Sequence, residues 1–284
     1  MTMTAERCRL VFRKVARDLK KLSLQPQAEV VHGFRAFTRR LQTLVEELIP
    51  EHTRKQKKLL KMLGSIRKQA GKVRDLDVQI AALRSLKIGL EPRRKTLLLQ
   101  GLIELRVSHE KRLRKLLTKQ VVRDVRRRLK KASKEVKLET ARDPLATARE
   151  ILSRVPPRSA PLTEDGLHRC RILVKRARYA AEFAPESPAT IQLVTQLKRL
   201  QDILGNWHDW VTLTHTASER LGDVNESPLV AALRNLTGGK FRQAVAAIAA
   251  SLALQTGSKT ASLPAPRKPG AKLAAPPWRR DTAA

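Results

Sequence analysis

The sequence predicts an all-α protein, and three observations carry that prediction. Apolar residues recur at helical spacing along most of the chain, apolar–polar alternation is scarce, and prolines and glycines punctuate the periodic stretches. A first helix is expected from about Ala5 to Leu22. Pro26 separates it from a long helix running from about Gln27 to Ile49, which Pro50 stops. A third helix covers about Thr53 to Gln69, Gly71 is read as its break, and a fourth runs from about Asp75 to Lys87. Pro92 suits the first turn of the next helix, where its missing N–H costs nothing. That helix lines up Leu98, Leu102, Leu105, Leu113 and Leu116.

Val121 to Lys134 reads as a helix with a solvated basic face, and a short helix precedes Pro156-Pro157. Thr163 is placed to cap a helix from about Glu164 to Ala184. Pro188 opens another, expected to stop at Gly205-Asn206, and two more cover about Trp207–Leu221 and Pro228–Leu254. From Gln255 onward periodic apolar positions vanish and proline becomes frequent. Residues 255–284 therefore read as a disordered basic tail, unable to bury enough surface to offset its ordering entropy. Residues 1–254 form the helical domain, with halves at about 5–155 and 162–254 joined at the proline pair.

Charge narrows the function. There are 59 Lys and Arg against 26 Asp and Glu, a formal net charge of +33, with a pI near 11.3. Self-repulsion on that scale opposes folding, which a polyanionic partner would relieve. Aromatic residues are only 3% of the chain, so stacking platforms for unpaired bases are scarce and the charge points to phosphate. Cys8 and Cys170 stand alone, with neither a disulfide framework nor zinc-ligand spacing. The N-terminal residues lack a signal-peptide apolar core, and no stretch reaches spanning length. The expectation is a soluble, cytoplasmic protein without membrane association.

Two stretches carry the functional reading. VHGFRAFTRRL contains His32, Arg35, Arg39 and Arg40; LHRCRILVKRARYA contains His168, Arg171, Lys175, Arg176 and Arg178. Both follow H-x-x-R-x-x-x-[RK]-R, with every matched position offset by 136. Downstream, GKVRDLDV aligns with GNWHDWVT at an offset of 134, so that Gly71 and Asp75 match Gly205 and Asp209. A shift of two between the blocks argues for internal duplication and two similar helical bundles rather than a solenoid.

On a helical wheel, Arg35 and Arg39 fall at about 300° and about 340° from His32, while Phe37, Leu41, Leu44 and Leu48 occupy the opposite side. The second copy repeats the segregation, with Leu173, Ala177, Ala180 and Ala184 opposite its cations. Arg40 and Arg176 flank the stripe. A single basic helix face is ordinarily just solvated. Like charges at i, i+3 and i, i+4 cost a helix a few tenths of a kcal/mol each. Meeting the same unfavourable stripe twice favours an anionic ligand that neutralises it. Guanidinium suits that task because its planar fork pairs two phosphate oxygens at once.

Together VHGFRAFTRRL, KVRDLD, LHRCRILVKRARYAAEF and LKRLQDILGNWHD resemble the CHAD domain, the conserved-histidine α-helical domain. The resemblance spans about Gln27 to the final helix. It implies two antiparallel helical bundles related by a pseudo-twofold axis. It also implies a basic surface that binds inorganic polyphosphate, and association with polyphosphate granules. The anion-binding set it suggests is His32, Arg35, Arg39, Arg40, Arg74, His168, Arg171, Lys175, Arg176 and Arg178. Gln42, where the family often has a basic residue, and the Trp207-His208 pair depart from the family's pattern.

Arg74, Asp75 and Asp77 form no plausible chelate, because carboxylates two apart on a helix diverge. Asp75 and Asp209 are expected to cap the helices after each glycine or to pair with the basic stripe. His109 falls on the leucine stripe and reads as an interface histidine, and His52 and His215 show no partner. The sequence holds no GxxxxGK[ST], HExxH or GxSxG motif. It also lacks the ExExK motif of the triphosphate tunnel domains to which some CHAD domains are fused. Neither a metal nor a cofactor is expected, and the reading is a non-enzymatic binder of polyphosphate. The alternative is a basic protein that binds nucleic acid or ribosomes non-specifically.

Overall fold

The computed structural model describes residues 3, 5–87, 91–155 and 162–255. Pro156-Pro157 and the tail beyond Gln255 lie outside the described residues. Those that are described form an all-helical protein without strands. The helices are α1 (Ala5–Leu24), α2 (Ala28–Thr43), α3 (Arg54–Ser85), α4 (Pro92–Leu116), α5 (Lys119–Lys134), α6 (Pro144–Ser153), α7 (Glu164–Ala181), α8 (Pro188–Leu221) and α9 (Pro228–Gln255).

Thr163, Pro92 and Pro188 act as the start signals expected of them, and the other helices begin by the same local rules. Thr53 and Gln56 form a reciprocal capping box at the start of α3. Thr118, Asp143, Thr163 and Ser187 each accept a backbone N–H in the first turn of their helices. Proline opens α4, α6 and α8.

The glycine breaks do not occur. Gly71 lies inside the 32-residue α3 and Gly205 inside the 34-residue α8. A mid-helix glycine costs only about 1 kcal/mol against alanine, and both long helices bury apolar residues on either side of the glycine. Leu63, Ile66 and Val73 flank Gly71, and Leu204 and Trp207 flank Gly205. At its C-terminal end α2 widens into a π-helical turn over Leu44–Leu48, keeping Leu44, Val45 and Leu48 buried. α7 ends at Ala181, three residues before the expected Ala184.

α3 and α4 form an antiparallel hairpin, cross-linked by Arg106 on Asp77 at 2.9 Å and by Gln69 donating to the His109 carbonyl at 3.1 Å. α8 and α9 form a second, in which Thr214 and Thr237 share a hydrogen bond of 2.8 Å. Two hydrophobic clusters result. The larger joins α1, α2, α5, α6 and α7 with one half of each hairpin. The smaller joins the far ends of the hairpins through Leu76, Leu83, Leu102, Leu213 and Leu233. Both clusters therefore mix residues from before and after the proline pair. Glu91 reinforces this from a left-handed backbone conformation (φ 47°), accepting from Ser227 Oγ at 2.7 Å and Leu229 N at 3.0 Å at the start of α9.

α2 packs on both α3 and α7, and α7 packs on α8, which in turn packs on α3. These four helices frame the cleft described next.

Candidate functional site

The two basic stripes face each other. A cleft of about 310 Å³ opens between the four helices, with His32, Arg35 and Arg39 contributed by α2 and Arg74 and Asp75 by α3. Opposite them, α7 contributes Arg171, Lys175 and Tyr179, and α8 contributes Gln201, Asp202 and Asp209. Five lining cations thus meet three carboxylates.

Six of the ten residues expected to bind the anion line this cleft: His32, Arg35, Arg39, Arg74, Arg171 and Lys175. The other four point elsewhere. Arg40 forks onto Glu182, with Nε to Oε2 at 2.6 Å, and its guanidinium also stacks near Phe37 and Tyr179. Arg178 reaches the same Glu182 at 2.9 Å and donates to Gln201. Arg176 pairs with Glu47. These three arginines brace α7 against α2, its π-helical turn and α8. His168 is not among the lining residues, and its ring lies 5.2 Å from that of His208.

Asp75 and Asp209 cap nothing, because each lies mid-helix. Asp75 instead accepts from Arg35 at 3.0 Å, and the same Arg35 nitrogen donates to the Gly71 carbonyl at 3.0 Å. A β-carbon at Gly71 would stand 3.5 Å from the Arg35 guanidinium carbon, in ordinary contact, so the arginine lies directly along the α3 backbone. Asp77 turns away to Arg106, a structural pairing.

Crowding of half-buried cations sets the electrostatics. Lys175 is pushed down to about 7, first by burial and then by Arg171, Arg39 and Arg35, with Asp209 opposing. Burial also lowers Arg39 and Arg171. The buried Nε of Arg171 has no hydrogen-bond partner among the described residues. Asp209 is raised by burial, against the pull of Arg171 and Lys175. Burial, followed by nearby arginines, lowers His32 and His168, and brings His208 down to about 3. All three imidazoles are therefore neutral at pH 7, available as N–H donors and not as charges.

Arg67 belongs to this cluster and was missed. Burial, then Arg39, lowers it to about 10. It lies seven residues before Arg74 on α3, two turns along the same face. Treating Gly71 as a break hid that alignment, and treating Gly205 as a break hid that Gln201 and Asp209 reach the cleft from one continuous helix. Of the departures from the family's pattern, Gln42 hydrogen-bonds Glu46 at 2.8 Å, and Trp207 is a core residue packed edge-on to Phe241. His109 is half-buried at the α3–α4 interface, whereas His215 does have a partner, Glu219 at 3.5 Å.

Fold and cleft together define an all-helical protein with facing cationic helices and no group of three or more potential metal ligands among the described residues. The model of the CHAD domain matches residues 8–218, and the chain belongs to that family, one linked to polyphosphate. Solved structures agree on the fold. The CHAD domain of the plant Ricinus communis superposes with a TM-score of 0.61 at 17% identity, covering 93% of this chain and 94% of its own. PptA from Streptomyces chartreusis gives 0.63 at 17% identity, covering 89% of this chain and 100% of its own. No curated protein matches the sequence. No described helix is long and apolar enough to cross a membrane.

Proposed function

We propose that this protein binds inorganic polyphosphate in the cleft between α2 and α7, and holds it without transforming it. The observation that carries this reading is the convergence of Arg35, Arg39, Arg74, Arg171 and Lys175 from opposite walls, with the buried Arg171 Nε lacking an acceptor. Cations brought together out of water at this density repel one another, and a chain of phosphates supplies the missing charge. Guanidinium forks on both walls pair with successive phosphate oxygens, and release of the chain's condensed counterions drives association. The neutral imidazole of His32 adds a hydrogen-bond donor. Tyr179, the one aromatic residue of the cleft lining, is buried beneath Arg40 and Arg178, which leaves no face for a base to stack on. That favours a thin, base-free polyanion. We further propose that this binding places the protein on polyphosphate granules in the cytoplasm.

The test is the triple variant Arg39→Gln, Arg171→Gln, Lys175→Gln. Losing three charge-assisted contacts at roughly 1.5 kcal/mol or more each should cost at least about a hundredfold in affinity for polyphosphate, with helicity by circular dichroism unchanged. Retained affinity in a folded variant refutes the assignment. Shortening of the polyphosphate on prolonged incubation with the wild-type protein refutes the non-catalytic part.

A further inference from the structure

A second basic surface lies away from the cleft. α5 has one apolar face, with Val122, Val125, Leu129 and Ala132 buried against α1 and α3. Its solvent face carries seven exposed lysines and arginines, Arg123, Arg126, Lys130 and Lys134 among them. The single acidic residue of α5, Asp124, is occupied by Arg127 and Arg128. None of the four named cations has an ion-pair partner among the described residues. α1 continues the surface with exposed Arg9, Arg13 and Arg17 at successive turns. Where the two helices meet, Arg13, Arg126 and Lys130 rim a shallow groove floored by Phe12, Ala16 and Leu129. No residue of α1 or α5 lines the cleft.

We infer that the α1/α5 face binds the phosphate backbone of duplex nucleic acid without regard to sequence. The face differs from the cleft in shape. The cleft surrounds a thin chain, whereas α5 presents its cations on an open helix surface about 24 Å long, the length of roughly seven base pairs. A flexible chain laid on an open surface must give up conformational freedom for each contact. A duplex is already stiff over about 150 base pairs and presents its phosphates in a fixed array, so it binds such a face without that cost. Single strands lack this advantage and look for stacking platforms. α1 and α5 expose no aromatic side chain, Phe12 being buried. This inference does not depend on what the cleft holds.

The experiment uses the full chain, a mixed-sequence 20-base-pair DNA duplex, a single strand of equal length and polyphosphate, with affinities followed across a salt series. The face variant is Arg123→Glu, Arg126→Glu, Lys130→Glu, Lys134→Glu. A control of equal net charge reverses exposed cations on α4: Arg93→Glu, Lys111→Glu, Arg112→Glu, Lys115→Glu. A milder set of glutamine substitutions at the four α5 positions serves if the reversed variant loses helicity. The face variant should weaken duplex binding at least tenfold relative to the control and lower the log–log salt slope by about 3 to 4. Its polyphosphate affinity should stay within about threefold of the control's, since no α5 residue lines the cleft. Four results overturn the assignment: no duplex binding by the wild type, equal losses in face and control variants, preference for the single strand, or loss of polyphosphate in step with duplex.

Discussion

Replacing Lys175 by methionine removes a charge that the folded protein holds at a cost. Its ammonium is brought from an ordinary 10.5 to about 7, so the charged form is favoured by the unfolded chain. At 1.36 kcal/mol per pH unit the full displacement corresponds to roughly 5 kcal/mol. Water entry and side-chain relaxation reduce the realised value to about 1–3 kcal/mol. The sign follows from proton counting. Between pH 7 and 10.5 the unfolded chain binds the proton that the folded chain has released, so wild-type stability rises with pH through this window. Below pH 7 both states are protonated and the full penalty is present. Methionine fills a similar volume without the charge. Lys175→Met should therefore raise the urea midpoint at pH 6–7, and the gain should shrink towards zero as pH approaches 10. The same variant should bind polyphosphate more weakly at pH 6–7. Denaturant melts at pH 6, 7, 8 and 9 for both proteins decide the matter. A variant less stable than wild type at pH 6–7, or a gain independent of pH, would falsify the electrostatic account.

Three further substitutions test the local structure. Gly205→Ala should stabilise the protein by about 0.5–1 kcal/mol, since the position is helical and a β-carbon there meets nothing within 4 Å; destabilisation would mean that the helix does break there. Gly222→Ala should instead cost more than about 1 kcal/mol, because φ is +87° and the added carbon would meet Glu226, and an unchanged melting temperature would contradict that geometry. Glu182→Gln should cost about 1–3 kcal/mol by leaving Arg40 and Arg178 half-buried without their shared anion, and a loss below about 0.5 kcal/mol in urea melts would show that the bracing role is wrong.

Helix positions were largely legible because proline and capping residues act locally. Thr53, Thr118, Thr163 and Ser187 each sit three residues before the backbone N–H they accept. What failed depended on long-range packing. Gly71 and Gly205 interrupt the local helical preference by an amount that burial of their flanking leucines and valines easily exceeds. The site was half legible for the same reason. A stripe of like charges is a property of one helix, so α2 and α7 showed theirs in the sequence. Which cations meet a carboxylate is a property of the fold. Arg40 finds Glu182 at a separation of 142 residues and Arg176 finds Glu47 at 129, and no spacing rule reaches that far. The contribution of α3 and α8 became visible only once each proved to be one helix.

The carboxylates in the cleft bear on how much charge an anion there would have to supply. Five cations facing one another with no anion would push the helices apart, and Asp75, Asp202 and Asp209 offset part of that repulsion. The offset is uneven. Asp75 is committed to Arg35 at 3.0 Å and fixes that guanidinium along α3, whereas Asp209 makes no ion pair within 4 Å among the described residues and acts on Arg171 and Lys175 through space. Arg35 is thus already placed, while Arg171 keeps a buried donor free. A phosphate of the proposed ligand would gain more from the α7 wall than from Arg35, whose charge is already answered. Complete compensation would have left nothing for the proposed anion to neutralise. Partial compensation leaves the charge deficit on Arg39, Arg171 and Lys175, the residues that burial and mutual repulsion perturb most directly.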